Sequence, residues 1–257
     1  MKNNNKFRLD VWGAITLGTI ALYALFLLYP MAYLIRQSVL DPDTGGFTLA
    51  YFTKFFSKSY YFDTLINSFK VSITATVLSI AIGTPLAYLF TIFKIKGKSV
   101  LNILIVVASM SAPFIGAYSW ILLLGRSGVI TAFFKNLGIA IPDIYGFGGI
   151  VLVMTLQLFP LVFLYAKGAL KNIDNSLIEA AENLGCSGIV CFFKVVVPLI
   201  MPTLLAAALL VFMRSFADFG TPMLIGEGYR TFPVVLYTEF INEVGGSDGF
   251  ATRTPSL

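Results

Sequence analysis

Apolar and polar positions along this chain do not alternate; they come in blocks. Five long apolar runs, at about residues 11–35, 65–93, 100–124, 147–166 and 195–213, are separated by shorter segments that hold most of the charge. Each run is long enough to cross about 30 Å of hydrocarbon as an α-helix, which takes about 20 apolar residues. Scattered Ser, Thr and Gly occur in them, without the every-second-residue polarity of a membrane β-barrel. The pattern predicts an all-α, polytopic transmembrane helix bundle of five helices.

Within the second run Ala75, Ser79, Gly83 and Ala87 recur every four residues, and Ala108, Ala112 and Gly116 repeat the spacing in the third. Such stripes let neighbouring helices approach closely. Pro85 and Pro113 lie inside these runs. Each frees a backbone carbonyl, so kinks are expected there, either lining a pathway or shaping the bundle.

Hydrophobic residues make up 57% of the chain and charged ones 12%, with a mean hydropathy of +0.84. This excludes a soluble domain of such length. Lys2, Lys6 and Arg8 precede the first run as in a signal peptide. The run is too long for one, however, and no small-residue cleavage site clearly ends it, so it reads as an uncleaved anchor. Nine Lys and Arg residues fall in the N-terminus, the turn 94–98 and the loop 167–194; eight are spread over the longer opposite side, Lys70 being left uncounted. The positive-inside rule then places the N-terminal segment 1–10 and the loop 167–194 in the cytoplasm, in a multi-pass protein of a prokaryotic cell membrane.

This topology accounts for the net charge of +5, and no interleaved aromatic and basic stripe points to nucleic acid. The chain has no histidine, and Cys186 and Cys191 are separated by a four-residue gap in a loop assigned to the reducing cytoplasm. Neither a conventional His/Cys metal site, nor a His-based nucleophile, nor a disulfide is expected, and no cofactor is implied.

One polar island repays attention. After the fourth run, Asp174 or Ser176 can cap a short helix, with Ser176 and Glu179 spaced as a capping box, and Gly185 can end it. On that helix Leu177, Ile178, Ala181 and Leu184 share a face, while Glu179, Glu182 and Asn183 lie elsewhere. Interfacial helices favour basic polar faces, whereas this one carries glutamates that an anionic lipid surface would repel. A protein partner fits better: Ala180 and Ala181 permit close approach, and Glu179 can accept charge-assisted hydrogen bonds. A capped connecting helix without a partner would show the same periodicity.

The same island carries a longer pattern. Glu179-Ala180-Ala181 is followed after three residues by Gly185, and after nine more by Val195, then Val197 and Pro198. This resembles the cytoplasmic "EAA" loop of ABC importer permeases of the binding-protein-dependent type, with Val195 and Val197 where Ile and Leu are usual. A second segment, Ser215 to Pro222 followed by Leu224-Ile225-Gly226, is similar to permeases of ferric-iron importers, in which one chain often holds two homologous halves. Residues 11–250 are consistent in order and spacing with the N-terminal half of such a permease.

The resemblance implies a type I importer fold, with a second permease half or subunit beside this one in the lipid. It also implies cytoplasmic ATP-binding subunits docked on Glu179, Ala180, Ala181, Leu184, Gly185 and Pro198, and an extracytoplasmic solute-binding protein. No Gly-x-x-x-x-Gly-Lys-Ser/Thr loop occurs in the chain, so the chain is not expected to be an enzyme, and ATP hydrolysis falls to a separate subunit. Ferric iron is the leading solute; thiamine, polyamine or phosphonate permeases share the architecture.

Arg214, Asp218, Glu227 and Arg230 are expected as a cluster beyond the fifth helix on the outer side, either at the pathway mouth, against the binding protein, or paired with one another in a solvated loop. Carboxylates suit a hard cation, which singles out Asp218, although in such importers the binding protein usually holds selectivity. The tail 251–257 is short and polar where the family would continue into another apolar helix, so the bundle reads as incomplete, as in a truncated product. A secondary transporter, a scaffold or a membrane enzyme is the alternative of another class; ionisable residues inside the helices, which the first and last would need, are scarce.

Overall fold

Continuous apolar runs in lipid must satisfy their own backbone hydrogen bonds, and the chain does so as helices throughout. The computed structural model describes residues 11–41, 45–93, 96–110, 112–139, 142–186 and 188–244. Among them the only strand pairing is an isolated antiparallel bridge between Leu40 and Phe47. The N-terminal segment 1–10 and the tail 251–257 lie outside the described residues. The chain divides into two units, one up to Ser59 and one from Tyr60.

In the first unit, α1 (Val11–Tyr23), a π-helical turn (Ala24–Leu28) and α2 (Tyr29–Val39) run on from one another, and α3 (Ala50–Ser57) follows. The π turn has a local cause. Pro30 has no N–H to offer, and its ring would collide with the carbonyl one turn back. The Tyr29 amide instead reaches Ala24 O, five residues earlier, which absorbs the misfit. No side chain of α1 or α2 is buried.

The second unit holds α4 (Ser59–Ile92), α5 (Lys98–Ser109), α6 (Pro113–Leu124), α7 (Val129–Asn136) and α8 (Phe147–Lys171). It continues with α9 (Asn175–Asn183), α10 (Gly188–Cys191), a second π turn (Phe192–Val196), α11 (Val197–Ala217), α12 (Gly220–Ile225) and α13 (Phe232–Val244). Among the described residues five helices are long and apolar enough to cross a membrane: Val11–Val39, Ser59–Ile92, Pro113–Asn136, Phe147–Lys171 and Gly188–Ala217.

Four of these coincide with the expected runs, and the third does not. The run expected at 100–124 is broken around residues 110–112, where Ala112 is extended and Pro113 opens α6. Pro113 is therefore a helix-start proline and not a kink, and Ala112 falls in the break. With Ala108 and Ala112 exposed and Gly116 half-buried, the second small-residue stripe is not a buried seam as the first is. α5 alone rises only about 18 Å, too short to cross hydrocarbon, and the third span is instead Pro113–Asn136, in which α6 runs on into α7. Another difference is α13, a helix with Val234 and Val235 buried, in a stretch for which no helix was expected from the sequence.

The first stripe behaves as expected. Ala75, Ser79, Gly83 and Ala87 are all buried, and a Cβ added to Gly83 would stand 2.9 Å from Phe159 O and 2.9 Å from Val162 Cβ on α8. Pro85 sits inside α4 without interrupting it. One core cluster joins Ala87, Phe90, Val162, Phe163, Val196 and Ile200 at the end that carries α9. A second joins Val71, Ala75, Ala117, Ile150, Met154 and Ile225 at the other end. Phe90 meets Phe163 edge-on, with centroids 5.1 Å apart. Gly83→Leu should cost about 1–3 kcal/mol by overpacking this crossing. Gly168→Ala, where nothing lies within 4 Å, should change stability by no more than about 0.5 kcal/mol. Thermal unfolding of both variants in detergent checks the difference.

Candidate functional site

The island after α8 folds as a capped rod. Asp174 Oδ1 accepts the Ser176 amide at 3.0 Å. Of the two candidate caps it is therefore Asp174 that acts, and Ser176 lies inside the first turn. That hydrogen bond holds the Asp174 carboxyl below the usual carboxylate range. At the far end Gly185 takes φ +83°. The amide of Leu184 bonds Ala180 O at 3.2 Å and that of Cys186 bonds Ala181 O at 3.0 Å. The reversal satisfies carbonyls that a helix end leaves open. Nothing lies within 4 Å of a Cβ added to Gly185, so glycine is needed there for backbone conformation and not for space.

Beyond Gly188, α10 leads into the second π turn, where the Val197 amide reaches Phe192 O. The cause is the same as at Pro30: Pro198 at the start of α11 cannot donate, and the wider turn spares its ring a clash with Lys194 O. Pro198 thus sets the path from the rod into the fifth span.

The expected apolar face of the rod is split. Ile178 and Ala181 are half-buried, whereas Leu177, Glu179 and Ala180 are exposed, and Leu184 is 89% exposed. Ile189, Val190 and Phe193 extend this open surface, Phe193 at 63% exposure. Sequence reasoning missed these three because they precede the fifth run and look like its continuation. A cleft of about 430 Å³ opens at the root of the rod, lined by Ala169, Asn172, Asp174, Leu177, Ile200 and Thr203. Cys186 and Cys191 are not joined in a disulfide.

At the other end, the four expected charges do not form a cluster. Ser215 Oγ donates to Met154 Sδ at 3.2 Å, and Met154 is seven residues along α8 from Phe147, about 10 Å at 1.5 Å per residue. Arg214 therefore lies within the last turn of α11, beside a core contact, and not beyond the fifth span. It is exposed there. An arginine facing hydrocarbon at mid-bilayer would cost about 2.5–3.5 kcal/mol, so its flank of α11 suits water or another protein surface.

Asp218 links α11 to α12. Its Oδ1 accepts the amides of Gly220 at 2.9 Å and Thr221 at 3.4 Å, and its Oδ2 accepts the Thr221 hydroxyl at 2.7 Å. Both carboxylate oxygens are thereby committed to starting α12, which leaves them poorly placed as cation ligands. Phe114, beside the break between α5 and α6, lies 3.3 Å from a Cβ added to Gly220 and edge-on to Phe219. The start of the third span and the end of the fifth thus meet.

Glu227 pairs with none of the other three. It takes φ +47° and accepts Arg126 at 3.0 Å, while Arg126 also holds Asp143 at 2.9 Å and lies 4.7 Å from the Tyr145 ring centre. Beside this clasp the Gly146 amide bonds Ile225 O at 2.9 Å. Arg230 instead donates to Tyr60 Oη at 2.8 Å. No local sequence signal marks the clasp, whose members come from three separate loops.

The profile of a family described as the binding-protein-dependent transport system inner membrane component matches residues 45–247, well over half of the chain. The chain belongs to this family. A ferric transport system permease protein of Actinobacillus pleuropneumoniae is 28% identical over 240 residues, covering 92% of this chain and 34% of its own length. A spermidine/putrescine transport system permease protein of Haemophilus influenzae is 28% identical over 232 residues, covering 87% and 79%. The chain spans about a third of the ferric relative.

Two solved structures share the fold. One is a bacterial ABC transporter involved in the import of the acidic polysaccharide alginate, with TM-score 0.71, 17% identity and coverage of 95% of this chain and 88% of the other. The second is a bacterial alginate ABC transporter in complex with alginate pentasaccharide-bound periplasmic protein, with TM-score 0.77, 16% identity and coverage of 95% and 86%. The five membrane-length apolar helices among the described residues agree with the inner membrane component that the family's description names.

Two outcomes follow for the rod. Because the folded carboxyl of Asp174 titrates below its unfolded value of about 3.9, its contribution is present above that pH and is lost as pH falls through the folded value. Exchange protection of the Ser176 amide should weaken below about pH 4, and in Asp174→Asn it should no longer vary over that range. Gly185→Ala should cost about 1–2 kcal/mol of rod stability, since an L side chain resists this φ; faster amide exchange at Leu184 and Cys186 reads it.

Proposed function

We propose that this chain forms one side of the translocation pathway of an ATP-driven importer, with α9 as the docking rod for a separate cytoplasmic ATPase subunit. The observation that carries this reading is the exposed rod itself. It is capped at Asp174, stopped at left-handed Gly185, and presents Glu179, Ala180 and Leu184 outward in the order the family resemblance requires. Ile178 and Ala181 hold its other side inward, so motion of a bound ATPase dimer passes to α8 and α11 as rigid-body displacement. In this reading the N-terminus and α9 are cytoplasmic, an extracytoplasmic binding protein delivers the solute at the Arg126 end, and a second permease half completes the pathway.

Ferric iron is the proposed solute, supported by the Ser215 to Pro222 segment and by the likeness to a ferric permease. A polyamine is the second reading, favoured by a relative of equal identity, 28%, of whose length this chain covers 79%. With the Asp218 oxygens engaged in capping, selectivity rests with the binding protein and not with a carboxylate ligand here. Arg214 is the residue of this chain best placed to face the pathway.

Glu179→Lys and Gly185→Pro should abolish solute uptake while the protein still reaches the membrane, with ATP hydrolysis by the complex no longer stimulated by loaded binding protein. Uptake of radiolabelled iron and of spermidine by cells carrying the whole transporter reads both the coupling and the solute. Wild-type uptake in either variant at normal expression overturns the docking assignment; uptake of spermidine without iron overturns the iron reading alone.

A further inference from the structure

Where α5 begins beside the end of α8, three lysines converge with no acidic side chain among their recorded contacts. Lys167, on α8, is half-buried; its Nζ donates to Asn102 Oδ1 on α5 and lies 5.4 Å from the centre of the Phe163 ring. Lys171 stands one turn beyond Lys167 on α8 and Lys98 one turn before Asn102 on α5, so the bond between Lys167 and Asn102 brings the two basic faces together. The positive-inside rule accounts for lysines in water at a helix end. It does not account for one drawn into a helix seam and held against two others.

Like charges brought together at reduced polarity call for an anion. The local backbone offers the same sign. Gly97 at φ +78° turns the chain into α5 with no side-chain cap, and the first turn of that twelve-residue helix carries open amides and the positive end of its dipole. Beside them α5 presents Val100, Leu101 and Leu104, all exposed, Leu104 at 58%. A phosphate placed among charges at a helix end, with an uncovered apolar flank running inward from it, matches the geometry of a membrane lipid. Lysine stems of this kind reach the headgroup layer while their methylenes stay in the apolar zone.

We infer that Lys98, Lys167 and Lys171, with Asn102, form a binding site for the phosphate of an anionic glycerophospholipid whose acyl chains lie along α5. This site is independent of the proposed transport cycle, and of which solute is carried.

Native mass spectrometry of the assembled transporter, purified in mild detergent and titrated with phosphatidylglycerol or phosphatidylcholine of equal chain length, tests it. Phosphatidylglycerol should be retained well above phosphatidylcholine. Retention should fall by about fivefold for each lysine neutralised near the surface, giving about twenty-five-fold for Lys98→Gln with Lys171→Gln. Exposed Lys171→Gln alone keeps the test open should the double variant fold poorly, and Lys167→Arg should retain the lipid. Equal retention of the two lipids, or no loss in the variants, overturns the site. Displacement of phosphatidylglycerol by millimolar inorganic phosphate would reassign it to a free oxyanion, and loss of the ATPase subunit in place of lipid would reassign it to a protein interface.

Discussion

Lipid tails are as apolar as leucine, so hydrocarbon gives helices no hydrophobic reason to meet; close contact must do the work. In this chain that contact is the crossing of α4 and α8 at Gly83, where a single methyl group would already press on Phe159 O and Val162. Around it the stripe from Ala75 to Ala87 is buried throughout. Both core clusters are built on α8, which packs against α4 and α11 along its length. With α8 fixed in this way, the elements at its two ends inherit a defined position.

At one end that inheritance is the rod α9. A carboxylate cap at Asp174 and a left-handed glycine at 185 give it sharp boundaries, and the π turn before Pro198 reconnects it to α11 without breaking the span. Phe192 and Val196 from that turn are buried in the same cluster as Val162 and Phe163. A force applied to the rod is therefore delivered to two membrane helices together, which is what a rigid coupling element requires. At the other end the loops are tied by Arg126, Asp143 and Glu227 and by the Gly146 to Ile225 hydrogen bond. The two breaks at Ala112 and Asp218 lie between these anchored ends.

The unevenness of what could be read from sequence has physical reasons. Four spans were legible because hydrophobicity over about 20 residues is a strong local signal. The capped rod was legible because caps and glycine stops act within a few residues. The break at 110–112 was not, since Pro113 in an apolar run reads equally as a kink within a helix or as a helix start. Neither was the role of Asp218: an aspartate followed by Gly220 and Thr221 is an ordinary cap sequence, and the expectation of a charged cluster hid it. The clasp at Arg126 joins residues 101 positions apart, a separation that no periodicity reports. Ile189, Val190 and Phe193 fell in the loop 167–194 and were not singled out, because composition alone does not separate a helix end in water from its continuation in lipid.

The account turns on one surface meeting one partner. A photo-cross-linking side chain placed at Leu184, and in a control at Met213 on the exposed side of α11, can be activated in membranes that contain the whole transporter. The account predicts an adduct with the ATPase subunit from position 184 and none from position 213. Adducts from both positions, or none from position 184 while the complex remains assembled, would contradict it.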